Sequence, residues 1–326
     1  MSFAYPGVRM RSPFVALIMV LATVLGTVSG AQAQVPDQPE VSLHYNNLLA
    51  IRVNPLGAVD YSQFSFRFRL YENDADIFKA NYFGIGVLPA LSPAWGRIGA
   101  IVELQPLSIL RLYAQYTLVG YFGSFDFLAS FPSPNVDYSD SAIDAQTATP
   151  GLQSYDTYGG ELLIGATLQI KIGPVAARSL FRAVYSHYAL ERGDRVFYDG
   201  IVDMVIPNEG WYLTNDVDLF YLIDIDRDLQ FAIGGRWTYS HAFFDDGHYL
   251  PSEAMGPRVD NDIHRLGPIF ALRLDSDPNS RFDNPTLLLL AQWHLQHRWR
   301  TGADVHVAAP YVALAFIFRG DLLADD

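Results

Sequence analysis

"LLLLAQWHLQHRWR", Leu287 to Arg300, decides the fold. Read as a helix, it would place His294 and His297 on one face as a metal-ligand pair. Read as a strand, the spacing of three sends them to opposite faces. Leu289, Ala291, Trp293, Leu295 and Trp299 then form an apolar row, with His297 at its outer edge. Leu290, Gln292, His294, Gln296, Arg298 and Arg300 form a polar row.

The rest of the chain favours the strand. In "ELLIGATLQIKI", Leu162, Ile164, Ala166, Leu168, Ile170 and Ile172 alternate with Glu161, Leu163, Gly165, Thr167, Gln169 and Lys171. "LRLYAQYTLVGYF" (110–122) and "FSFRFRLY" (64–71) alternate in the same way. Alternation sustained over about ten residues marks a strand whose faces meet different surroundings, and that length crosses a bilayer at a tilt. Twelve such runs are predicted, at 42–54, 63–71, 82–91, 96–106, 109–122, 158–172, 176–188, 211–223, 229–242, 262–274, 286–299 and 309–318. Ten or fourteen strands remain open. A further short pair in "RVFYDGIVDMVIP" (195–207) is expected to extend strands beyond the membrane.

The amino terminus reads as a leader. Arg9 and Arg11 precede the uncharged run "FVALIMVLATVLGTV", and Ala31-Gln32-Ala33 is a small-x-small cleavage site. Residues 1–33 are therefore expected to be a signal peptide and 34–318 the folded domain, with a short tail at 319–326. Removing Arg9 and Arg11 leaves 20 Lys and Arg against 35 Asp and Glu, a balance unsuited to nucleic acid. The chain has no cysteine, so no disulfide supports it. Half of its residues are apolar, yet none of its runs beyond the leader reaches the roughly 20 residues of a membrane helix.

Loop lengths sort by side. Long segments follow the fifth, seventh, ninth and eleventh strands; "PLS", "GPVA" and "DIDRD" follow the fourth, sixth and eighth. Segments after the second and tenth strands, "ENDADIFKAN" and "DSDPNSRFDN", depart from this rule. Phe122, Tyr158, Trp211, Tyr212, Trp237, Tyr239 and Trp299 fall near the long loops, where interfacial aromatics sit.

Over residues 34–318 the pattern resembles that of bacterial outer-membrane β-barrel proteins. The final run "YVALAFIF", with Val312, Leu314, Phe316 and Phe318 on one face, looks like the terminal strand such barrels present to their assembly machinery. It differs in continuing past Phe318 into "RGDLLADD". The expected fold is an all-β, transmembrane, antiparallel up-and-down barrel in the outer membrane, in contact with lipid and lipopolysaccharide.

Alternation then directs a set of charges inward. Arg67, Arg182 and Arg236 are expected nearest mid-height. Arg52, Arg69, Arg97, Arg111, Arg273, Arg298 and Arg300 join them, with Glu103 and Glu161 as inward acids and His294 as a titratable neighbour. Lys171, Arg178, Arg265, Asp216 and Asp218 fall on the same rows. An arginine-lined lumen favours anions, so the expected function is passive passage of a small anionic solute, without cofactor, metal or covalent chemistry. A lipid-modifying hydrolase and a plugged structural or adhesive barrel are the alternatives. For the hydrolase, Ser186-His187 and Ser240-His241 cannot act as adjacent pairs, because neighbours on a strand face opposite ways. His248 and His264 are placed at the outer rim.

Overall fold

The computed structural model describes residues 39–125, 127–226, 229–253, 256–274 and 281–324. The expected signal peptide lies outside them. Twelve staves form the wall: β1 (Val41–Val53), β2 (Gly57–Phe68), β3 (Tyr82–Val87) continued by β4 (Ala90–Leu91), β5 (Trp95–Leu107), β6 (Leu110–Phe122), β8 (Asp156–Ile172), β9 (Val175–Tyr188), β12 (Gly210–Asp226), β13 (Leu229–Ala242), β14 (Ile263–Leu274), β15 (Asp283–Gln296) and β16 (Tyr311–Asp321). Each pairs antiparallel with the stave before it, and β1 pairs with β16. Asn47 lies opposite Phe318 and Ala50 opposite Ala315, which closes the sheet into a barrel. β16 runs three residues beyond Phe318, and the Asp321 carboxylate accepts the Leu43 N–H at 2.9 Å.

Alternation sorts the faces. Phe64, Phe66 and Phe68 point out from β2 while Ser65 is buried inside. Leu287, Leu289, Trp293 and Leu295 point out from β15, while Leu290, Gln292 and His294 are buried inside. With every stave paired on both edges, a hydrocarbon-facing wall leaves its backbone groups satisfied.

Several strand limits differ from the sequence expectation, those of β2 and β15 with consequences for which side chains face where. β2 begins at Gly57, not 63, because "VDY" continues the strand. Its outward row carries Asp60, which broke the apolar pattern; Asp60 accepts from the Asn47 side chain at 2.7 Å on the neighbouring stave. β15 ends at Gln296, so His297, Arg298, Trp299 and Arg300 lie in the loop beyond it.

The outer mouth is closed. β10 (Val196–Asp199) and β11 (Met204–Pro207) form a hairpin, and β7 (Ala129–Phe131), from the preceding long loop, adds a third strand. The expected short pair is present, but it turns into the mouth rather than extending the wall. Its reason is composition: both strands are buried along their whole length, and Phe197, Met204 and Ile206 pack with the inward Trp95, Tyr121, Tyr188 and Tyr212. Tyr212 therefore belongs to this core and not to the outer aromatic belt. Trp299 also leaves the belt, meeting Tyr138 edge-on at 5.9 Å. Tyr158 and Trp211 stay exposed on the wall, and Trp237, Tyr239 and His264 stack there.

Leu289 sits at the middle of β15 on the outward row. Leu289→Arg is expected to cost about 2–4 kcal/mol of folding free energy in a bilayer, and Leu295→Arg, near the outer end, about 0–1 kcal/mol. Reversible unfolding from lipid vesicles, followed by heat-modifiable gel migration, measures the difference; equal costs would contradict this placement.

Candidate functional site

Below the plug, the lumen is crossed by ion pairs. Glu103, fully buried on β5, receives Arg111 from β6 and lies 3.7 Å from Arg67 on β2. Gly84 makes room for them: a Cβ there would stand 3.2 Å from Glu103 Oε2 and 3.5 Å from Arg67 Cγ. Asp218, also fully buried, binds Arg236 at 2.6 Å and Arg178 at 2.6 Å. Arg182 meets Asp216 at 2.7 Å, and Arg97 meets Glu161 at 2.8 Å. The side chains of Arg178 and Arg182 remain 36% and 39% exposed, so solvent reaches the lumen at their level.

Two of these carboxylates each serve two arginines. Each such triad carries one excess positive charge, whereas the Arg182 and Arg97 pairs are neutral. Arg265 adds a further inward cation, stacked 4.6 Å over the Tyr311 ring. Arg273 is inward on β14, opposite Gln230 and Thr286.

The three arginines expected at mid-height are not one ring. Arg182 and Arg236 are mid-strand, but Arg67 lies one residue from the inner end of β2, and the three meet three different carboxylates. Three expected lumen arginines are placed elsewhere. Arg69 follows β2 and pairs with the exposed Glu72 at the inner rim. Arg298 donates to the carbonyls of Pro134 and Val136 in the long loop after β6, each at 3.0 Å. Arg300 binds Asp203 at 2.6 Å and Asp140 at 2.7 Å. All three fall past strand ends, where alternation no longer sets direction. Arg52 does face inward, and its guanidinium donates to the Gly200 and Ile201 carbonyls at the plug tip.

His294 and His297 are not on opposite sides. Once β15 has ended, the chain turns inward and brings the two rings to 5.1 Å. Both face Asp203 of the plug hairpin, His294 Nε2 at 3.4 Å and His297 Nε2 at 3.6 Å from its Oδ2. Asp203 is a buried residue at φ 62°, a left-handed conformation unusual outside glycine, which aims its carboxylate at the wall. Asp203, His294 and His297 are the one donor set among the described residues whose atoms cluster tightly enough for a metal ion. His297 is already committed, however. Its Nδ1 accepts the Trp299 and Arg300 N–H groups, so Nε2 carries the proton and donates to the Asp203 carbonyl at 2.9 Å. A metal on Nε2 would need the proton on Nδ1, facing two donors. The cluster acts instead as a latch between plug and wall, completed by Tyr198 Oη donating to Asp203 at 2.8 Å. Burial alone would raise the Asp203 carboxyl, but its contacts with His294, His297 and Arg300 hold it below the usual range.

Of the residues considered for hydrolysis, Ser186 Oγ donates to the Pro207 carbonyl and His248 Nε2 meets the Asn208 carbonyl. His241 Nδ1 lies 2.5 Å from Asp262, with His264 in the outer aromatic stack.

No family of sequences and no curated protein matches this chain. Among solved structures, KdgM porin aligns over 85% of this chain and 98% of its own at 9% identity, TM-score 0.37. LpxR from Salmonella typhimurium aligns over 85% and 99% at 8% identity, TM-score 0.36. An outer membrane channel from Pseudomonas putida F1 aligns over 90% and 100% at 10% identity, TM-score 0.35. Likenesses this low carry no argument about activity, and the barrel rests on its own strand pairings.

The latch has a pH dependence of defined sign. Burial pushes His297 down to about 4, against the pull of Asp203. An undocked imidazole takes up a proton near pH 6.5, while the docked one stays neutral until about 4. Docking is therefore complete above pH 6.5 and weakens as pH falls toward 4. Protease cleavage within 199–203 is expected to rise over that window and to rise less in His297→Gln, with His294 still facing Asp203; a flat wild-type profile would contradict the latch.

Proposed function

We propose that this protein is an integral outer-membrane barrel that gives passage to a small anionic solute, with its outer mouth closed at rest by the β7–β10–β11 plug. The observation that carries this reading is the excess positive charge of the Arg67–Glu103–Arg111 and Arg178–Asp218–Arg236 triads in a lumen that solvent reaches. Fixed positive charge in a confined aqueous path lowers the barrier for anions and raises it for cations. Arginine also presents a planar fork suited to carboxylate or phosphate. The apolar outer wall supports an outer-membrane location, with the expected signal peptide as the export route and the assembly machinery acting on β16.

Passage requires the plug to move, so axial conductance is expected to be low in the intact protein. Replacing 196–207 by a short Gly-Ser link should raise single-channel conductance in planar bilayers and reveal anion preference. Adding Arg67→Gln, Arg182→Gln and Arg236→Gln should reduce that preference. Cation preference in the plug-deleted barrel would overturn the reading; unchanged selectivity in the triple variant would remove those arginines from it.

A further inference from the structure

One cavity touches both faces of the wall. It has a volume of about 720 Å³ and lies at the outer rim beside the short β1–β2 turn. Lipid-facing Ile51, Val53 and Leu314 share its lining with inward Arg52, Tyr61 and Trp95. Phe127 and Ile201 bound it on the plug side. The β1–β2 and β1–β16 pairings run unbroken to Arg52–Gly57 and Val53–Val312, so a single space bordered by both faces of β1 passes over the rim at the β1–β2 turn. A second, shallower groove on the outward face shares Ala50, Ile51, Ala58 and Val59 with it, so the two adjoin where the wall carries its smallest side chains. The volume falls within the roughly 300–1,000 Å³ of small-molecule sites.

Chemistry selects the occupant. The lining is mostly apolar, with the neutral hydroxyls of Tyr61, Ser92 and Tyr311, and Arg52 is its one charged side chain. Arg52 has no carboxylate within ion-pair distance among the described residues, unlike Arg67, Arg97, Arg111, Arg178, Arg182 and Arg236. Its two bonds go to neutral carbonyls of the plug tip, Gly200 and Ile201. A guanidinium bound only to neutral acceptors gains more from a carboxylate. From the stated geometry we infer that this cavity is a binding site for a long-chain monocarboxylate, which enters from the outer leaflet with its chain along Ile51, Ala58 and Leu314 and its carboxylate at Arg52. The site stands apart from the axial passage proposed above. Occupancy competes with the plug carbonyls for Arg52, so it would loosen the tip from β1.

Trp95 lines the cavity and is only 1% exposed, which makes it a reporter that bulk lipid does not reach. The experiment uses the full-length barrel in phosphatidylcholine vesicles, with Trp211, Trp237, Trp293 and Trp299 changed to Phe and folding verified by heat-modifiable migration. A dibrominated C18 fatty acid should quench Trp95 saturably, and the matching dibrominated alcohol roughly ten-fold less effectively. Arg52→Gln should bring acid and alcohol to the same affinity. Ala58→Phe, on the outward row, should weaken quenching by both. The inference is overturned by quenching no greater than dibrominated phosphatidylcholine gives, by acid and alcohol acting equally in the parent, or by quenching that Ala58→Phe leaves unchanged. None of these readings requires conductance, so failure here leaves the axial proposal standing, and the reverse holds.

Discussion

Pairing of β1 with β16 joins two ends of the chain that are more than 250 residues apart, and the rest of the structure follows from it. In hydrocarbon, each unpaired backbone N–H or C=O costs several kcal/mol, so an open edge along either strand is not tolerable. Closure removes the edge but fixes a circumference of twelve staves. It also forces every stave to keep one face for lipid and one for the lumen. Charge then goes inward or into the loops, with Asp60, near the outer end of β2, an exception that finds Asn47 beside it.

Twelve staves enclose more space than side chains alone fill, as eight would, and less than an open sixteen-stranded channel. Two devices occupy that space. The outer part holds an apolar core built from the plug and inward aromatics such as Trp95, Tyr121 and Tyr188. The part below holds fully buried carboxylates, Glu103 and Asp218, each served by two guanidinium groups. Burying a charge unpaired is prohibitive, while a paired charge with water on one partner is tolerable. The partial exposure of Arg111 and Arg178 places these pairs on the tolerable side. Arginine suits this work better than lysine because its fork can bridge two oxygens.

Much of this was legible in the sequence. Strict alternation gave the twelve staves, because a bilayer outside and water inside impose period two on nearly every strand. It placed Arg67, Arg97, Arg111, Arg182 and Arg236 inward, with Glu103 and Glu161 among them. It failed where a strand stops. Nothing in "LQHRWR" marks Gln296 as the end of β15, so His297 was assigned to lipid and Arg298 and Arg300 to the wall. It also failed at Asp60, where a polar residue on the outward row finds Asn47. The strand pair in 195–207 was visible, but its destination was not. An all-apolar hairpin tells of burial without saying where, and its third strand comes from a loop with no strand signal of its own.

The plug also constrains the order in which this protein can be built. Its tip is held by residues far apart in sequence: Arg300 is 97 residues from Asp203, and Arg52 is 148 from Gly200. Contacts this distant need the intervening staves in place before they can form. Arg300 can reach its place only after β15 has been laid into the wall and the loop behind it has crossed to the outer side. Until then the hairpin has no anchor on that side. The latch that holds the stopper therefore cannot be made before β15 and the loop behind it are in place.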